Sequence, residues 1–121
     1  MLNSISPMIG SSDPIKLSEF YGKVLGSDPV YQDGEWAGYK VASTYLMIGP
    51  HSDVAAKNVE PARVMFNIEV DDVQKEFDRI KNLGAKVVKD LGPANETEDT
   101  RIATFEDPDG NYFQVMPTWE G

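Results

Sequence analysis

Two stretches of the chain place apolar residues along one side of a helix. Leu17, Phe20, Tyr21, Val24 and Leu25 recur at helical steps. Asp13 offers a capping oxygen ahead of them, and Pro14 lacks the donor that a first helical residue leaves unpaired anyway, so the spacing predicts a helix from Pro14 to Leu25 that Gly26 stops. Val73, Phe77, Ile80 and Leu83 repeat the stripe before Gly84. Here Asp71 is the expected cap, with Gln74 three residues on as in a capping box.

The segments around each helix alternate instead. From Asn3 to Ile9, Ile5, Pro7 and Ile9 oppose Ser4, Ser6 and Met8; from Arg63 to Val70, Val64, Phe66, Ile68 and Val70 oppose Met65, Asn67 and Glu69. The apolar sets are expected to face the helices. Further strands are expected near Pro29–Gln32, Glu35–Val41 and Thr44–Ile48, and again near Lys86–Asp90, Thr100–Glu106 and Asn111–Met116. The order is β-α-β-β-β, twice. Glu19-Phe20 before Leu25-Gly26 is echoed at nearly the same offset by Glu76-Phe77 before Leu83-Gly84, which together with the shared strand pattern reads as an internal duplication. Gly49 to Pro61 is polar and rich in breakers, and reads as the connector. The expected organisation is one domain, residues 1–121, with module one at about 1–50, the connector at about 51–61 and module two at about 62–121.

Composition narrows the chemistry. A chain of 121 residues with 40% hydrophobic and 26% charged residues suits one soluble globular domain. No apolar run approaches the roughly 18 residues of a membrane span, and no basic residue precedes the apolar positions of the N-terminus as in a secretory signal, so a cytoplasmic location is expected. With no cysteine there is no thiolate nucleophile and no sulfur-rich zinc site. The single histidine, His51, falls in the connector, where a solvent-exposed loop role is expected, and leaves no site that needs two imidazoles from one chain. A net charge of −9 repels nucleic acid and anionic membranes, since phosphate contact would carry the wrong sign; both are excluded as expected partners. The acidity suits solubility first and a cationic ligand second.

The run Phe105 to Pro117, FEDPDGNYFQVMP, carries the strongest local signal. Asp107-Pro108-Asp109-Gly110 puts proline at the second turn position and glycine where a positive φ is needed, so Phe105 and Tyr112 belong to the two strands of a tight hairpin. Together with Val70-Asp71-Asp72-Val73, with Glu19-Phe20-Tyr21 through Leu25-Gly26 and with the duplicated plan, this run resembles the vicinal oxygen chelate superfamily: glyoxalase I, extradiol dioxygenases, methylmalonyl-CoA epimerase, and the bleomycin and fosfomycin resistance proteins. The resemblance covers nearly the whole chain. It implies an α+β fold of two β-α-β-β-β modules whose curved mixed sheets enclose a cleft, and it suggests a homodimer.

Enzymes of that superfamily typically hold a divalent metal with His, Glu or Gln from four strand positions. Carried over residue by residue, those positions fall on Ser6, within Tyr45 to Ile48, on Met65 and on Gln114. Ser6 and Met65 are poor ligands for a hard or borderline dication, Tyr45 to Ile48 has no imidazole or carboxylate, and Gln114 has only a neutral amide oxygen. No metal and no cofactor is therefore expected. By strand parity Tyr112, Gln114 and Met116 share one face, as do Met65, Asn67 and Glu69. Trp36, Tyr39, Tyr45, Tyr112 and Trp119 lie where rings could line or overhang the cleft.

The expected ligand-binding residues are Gln114, Met65, Asn67, Glu69, Tyr112, Trp36 and Tyr45, with no catalytic residue. The leading expectation is a metal-independent protein, like the bleomycin-resistance branch, that sequesters a small aromatic or cationic molecule. The alternatives are a metal-dependent lyase, isomerase or dioxygenase, a metal-free enzyme using Glu69 as general base, and an interaction module that pairs through sheet edges. Arg101 is expected either at the cleft or paired with Glu96, Glu98 and Asp99, and the polar loop Pro93 to Thr100 is a candidate lid or a solvated loop. Asn95-Glu96-Thr97 matches a glycosylation acceptor, read as accidental.

Overall fold

A computed structural model describes residues 1–93 and 101–119. The chain divides into two compact units, Met1–Lys57 and Asn58–Gly121. The first contains β1 (Met8–Ser11), α1 (Pro14–Leu25), β2 (Tyr31–Asp33), β3 (Trp36–Val41) and β4 (Thr44–Pro50). The second contains β5 (Phe66–Val70), α2 (Val73–Asn82), β6 (Lys86–Pro93), β7 (Arg101–Glu106) and β8 (Tyr112–Pro117). The fold is α+β, with two β-α-β-β-β arrangements. The sheets have the orders β1-β4-β3-β2 and β5-β8-β7-β6, each with one parallel pair, β1 with β4 and β5 with β8, and otherwise antiparallel. Among the described residues no helix is long and apolar enough to cross a membrane.

In the first unit α1 starts and stops where its sequence dictates. The Asp13 side chain accepts from the Lys16 N–H, Pro14 opens the helix, and Gly26 ends it in the left-handed conformation at φ 66°. Leu17, Tyr21 and Val24 are buried against Ala37, Tyr39, Leu46 and Ile48 of β3 and β4. Tyr39 belongs to this core, not to a ligand surface. Its hydroxyl donates to the Ser18 carbonyl at 2.8 Å and lies 2.9 Å from Ser18 Oγ, which satisfies the one polar atom that the ring brings inside. The expected strand Asn3 to Ile9 begins only at Met8. Pro7 has no N–H for the ladder and contributes only its carbonyl, to Met47 N at 3.0 Å; Ile5, expected against the helix, is 87% exposed.

The second unit packs α2 over β7 and β8. Phe77, Ile80, Phe105, Phe113, Ala103 and Val115 are buried. The rings form a chain: Phe66 stacks on Phe113 at 6.1 Å between centroids, Phe113 on Phe105 at 5.6 Å, and Phe105 meets Phe77 at 5.5 Å. The cap of α2 is Asp72, not Asp71: its Oδ1 accepts from the Lys75 N–H at 3.0 Å. That register puts Gln74 too early for a capping box, and its amide donates instead to Asp78 Oδ1 at 3.1 Å. Leu83 lies at the cap, 45% exposed, outside the apolar stripe. Residues 63–65 precede β5 and are not part of it.

The hairpin of β7 and β8 closes as expected. Gly110 adopts φ 82°, and its N–H donates to the Asp107 carbonyl at 3.0 Å. The buried Asp107 carboxylate accepts from the N–H groups of Asp109 and Asn111 and from the Asn111 amide, each at 2.9 Å. Asn58 docks on the same turn, its N–H on the Asp109 carbonyl and its amide on Asn111 Oδ1.

The phenylalanine chain predicts an asymmetry. Phe113→Ala, at the centre of three contacting rings, is expected to cost about 3–5 kcal/mol, and Phe66→Ala, at the half-buried end, clearly less. Urea midpoints at unchanged m-values measure both. Equal losses would mean that the rings do not act as a chain.

Candidate functional site

One helix covers one face of each sheet, so the other face of each is defined by register. Residues opposite one another across a ladder share a face. In the first unit Ala37 pairs with Ile48 and Tyr39 with Leu46 on the helix side, which leaves Met8, Tyr31, Trp36, Gly38, Lys40, Tyr45, Met47 and Gly49 on the far face. This face is built on missing side chains. A Cβ at Gly49 would fall 2.2 Å from Cε3 of Trp36, so the indole lies directly over the backbone there. A Cβ at Gly38 would fall 2.7 Å from the Met47 sulfur. The result is an aromatic and thioether surface of Trp36, Met47, Met8 and Tyr31.

Tyr45 stands apart from it. It pairs with Lys40 at the opposite end of the β3–β4 hairpin, four residues along β4 from Gly49, which at about 3.3 Å per residue is about 13 Å. The Lys40 ammonium lies 5.8 Å from the centre of its ring. Trp36 and Tyr45, both expected at the site, are thus separated, and Tyr45 already holds a cation of its own chain. His51 is an exposed loop residue. Its Cβ rests against Gly10, and its Nδ1 accepts from the Asp53 N–H at 3.1 Å.

In the second unit the far face is polar. The register pairs Asn67 with Gln114, Glu69 with Met116, Thr104 with Gln114, and Glu106 with Tyr112, whereas Phe105, Phe113, Ala103 and Val115 turn to α2. Gln114, Asn67, Glu69 and Tyr112 are therefore brought together on one face, as parity predicted. The Gln114 amide nitrogen donates to Thr104 Oγ1 at 3.3 Å, and its oxygen accepts from no described residue. Glu69 is exposed, and its Oε1 accepts from the backbone N–H of Trp119. The burial that the general-base reading required is missing. Met65 precedes the strand and is 38% exposed; the Tyr112 ring borders a groove with Glu60, Pro61, Ala62 and Arg63. Arg101 points its guanidinium at Gln74 of α2, 3.3 Å away; its expected acidic partners and the rest of the candidate lid and glycosylation triplet lie outside the described residues.

Met8, Met47, Tyr31 and Thr104 were not among the expected site residues. Parity from Tyr45 reaches Met47, and counting back across the Asp107–Gly110 turn from Gln114 reaches Thr104, so both were accessible to register arguments. Met8 and Tyr31 required the sheet order.

The residues present do not fit a divalent metal. Ser6 is exposed ahead of β1, Met65 offers an exposed thioether, the β4 position offers a phenol and a thioether, and the Gln114 amide is turned to a threonine. Among the described residues no three His, Cys, Asp or Glu side chains converge.

This fold, with two such faces, is that of a known family. A model described as a glyoxalase-like domain matches residues 8–116, and the chain belongs to that family. It is similar to a lactoylglutathione lyase of Neisseria meningitidis, with 31% identity over 116 residues that cover 88% of this chain and 83% of the relative. Among solved structures it resembles a glyoxalase-related enzyme from Fulvimarina pelagi, with a TM-score of 0.77 and 16% identity over 98% of this chain and 89% of the other. It also resembles a glyoxalase/bleomycin resistance protein from Catenulispora acidiphila, with a TM-score of 0.73 and 20% identity over 95% and 97%. These structural likenesses establish the fold.

The close approach of Trp36 to Gly49 makes a prediction. Gly49→Ala must lift the indole from the sheet, at a cost of about 1–3 kcal/mol. In a Trp119→Phe background, where Trp36 is the sole tryptophan, the emission of Trp36 should shift to the red. Unchanged emission would show that the indole has other room.

Proposed function

We propose that this chain is a metal-independent binding protein for a small aromatic or cationic molecule, with the far face of each sheet as a candidate surface taken by itself. The observation that carries the reading is the chemistry of the four positions at which family enzymes hold their metal: hydroxyl, phenol or thioether, thioether and amide. None binds a dication well. What those faces offer instead is ring and thioether area around Trp36 and Met47, and neutral acceptors at Asn67 and Gln114 beside the Glu69 carboxylate. Rings attract cations through their faces, and amides orient a polar group without adding charge. The net charge of −9 favours a cationic over an anionic partner at long range.

The likeness to the Neisseria lactoylglutathione lyase favours a second reading, a metal-dependent lyase. One experiment separates the two. Metal content is measured on protein prepared without tags or chelators, and thermal unfolding is then followed with zinc, manganese, nickel or iron, and with aromatic ammonium compounds of which phenethylammonium is the smallest. A ligand that binds only the native state must stabilise it, by about 2.7 kcal/mol at a hundredfold excess over Kd. The expected outcome is no metal-dependent shift, and a rise with the ammonium compounds; Trp36→Ala and Gln114→Ala, tested separately, report which sheet face receives them. Stoichiometric metal with formation of lactoylglutathione would replace the binding reading with the lyase.

A further inference from the structure

The polar face of the second sheet has a feature that its strands alone do not supply. Beyond β8 the chain keeps to the side of β5: Val70 is in register with Pro117, and the Thr118 N–H donates to the Val70 carbonyl at 3.2 Å. The next N–H, that of Trp119, leaves the ladder and donates to Glu69 Oε1. The indole of Trp119 takes little part, since the residue is 71% exposed. Glu69 has a second oxygen, Oε2, with no partner among the described residues. It stands on the same face as Asn67 and Gln114, two residues along the same β5–β8 ladder, and the Gln114 oxygen is likewise unpartnered among the described residues.

An exposed glutamate samples many rotamers, and a ligand that needs its carboxylate must first restrict them. A backbone N–H that already holds one oxygen removes part of that cost. We propose that the Trp119 main chain is a positioning group, fixing Glu69 through Oε1 so that Oε2 is presented, beside Asn67 and Gln114, to the ammonium of a ligand. This rests on the binding reading above and specifies it: the ligand is a hydrogen-bond-donating cation, received by one carboxylate and neutral amide oxygens. The tail and the ligand then bind the same side chain cooperatively, through different oxygens.

Proline has no N–H, so Trp119→Pro removes the donor, whereas Trp119→Ala removes the indole and keeps the donor. Two readouts are needed on the full chain: hydrogen exchange of the residue 119 amide without ligand, and the affinity for phenethylammonium by calorimetric or NMR titration. The wild-type amide is expected to be protected, and Glu69→Ala is expected to abolish that protection. Affinity is expected to fall about three- to tenfold in Trp119→Pro and less than twofold in Trp119→Ala. Glu69→Gln, which keeps the acceptor but loses the charge, is expected to retain amide protection and lose affinity. Equal affinities in wild type and Trp119→Pro overturn the positioning role, and an equal loss in Trp119→Ala assigns the effect to the indole and also overturns it. A protected amide in a protein that binds no phenethylammonium overturns the functional reading, and with it the ligand-facing role of Oε2. Binding with an unprotected amide overturns the latch alone.

Discussion

The arrangement follows from one constraint: each four-stranded sheet receives a single helix. A sheet has two faces, and a helix of α1's length can bury only one. Parity along each strand therefore separates fold from function. Leu46, Ile48, Ala37 and Tyr39 in the first unit, and Phe105, Phe113, Ala103 and Val115 in the second, are committed to the helix, and the alternate residues face away from it, with Gly38, Gly49 and Thr104 buried on that far side. The two units resolve the released face differently. The first lays Trp36 and Met47 flat over glycines, whereas the second presents amides and acids along β5, β7 and β8. The same plan thus yields one face suited to rings and one suited to polar groups.

The motif that most clearly marks the family does structural work here. The Asp107 carboxylate accepts three N–H donors within its own turn, and the turn also receives Asn58. Hydrogen bonds to a charged acceptor are the stronger class, about 1.5–3 kcal/mol each, and this one is buried. The hairpin fixes β8 against β7, which sets Gln114 opposite Thr104 whatever chemistry position 114 carries. The fold motif can therefore persist while an amide stands where family enzymes keep a metal ligand. Persistence of the turn says nothing about persistence of the reaction.

Much of this is legible in the sequence. The helix at Pro14 to Leu25 declares both ends, and parity around Phe113 and Val115 assigns Gln114 and Tyr112 to the far face. What escaped had physical causes. Pro7 stops the first ladder because it cannot donate, so alternation through Ile5 had no strand to belong to. Two adjacent aspartates each could cap α2, and the choice of Asp72 moved Gln74 off the capping-box position. The separation of Trp36 from Tyr45 depends on which residues oppose each other across β3 and β4, and the grip of Trp119 on Glu69 joins residues far apart in sequence. Pairwise geometry of that kind is not written in periodicity.

Magnitudes rank the two faces. Covering about 100 Å² of ring and thioether surface around Trp36 is worth about 2.5 kcal/mol, whereas a neutral hydrogen bond to Asn67 or Gln114 contributes about 0.5–1.5 kcal/mol net. On the binding reading proposed above, apolar contact at the first face outweighs any one neutral hydrogen bond at the second. Glu69 is the exception on the polar face, because a charge-assisted bond is about twice as strong as a neutral one, provided that the carboxylate is held still. Exposure works against it, since water screens a surface pair. A backbone donor on one oxygen is a low-cost way to offset that loss: it restricts the rotamer without neutralising the charge. The position of Trp119, two residues beyond β8, matters for this reason, since the main chain there supplies a donor that every substitution except proline retains.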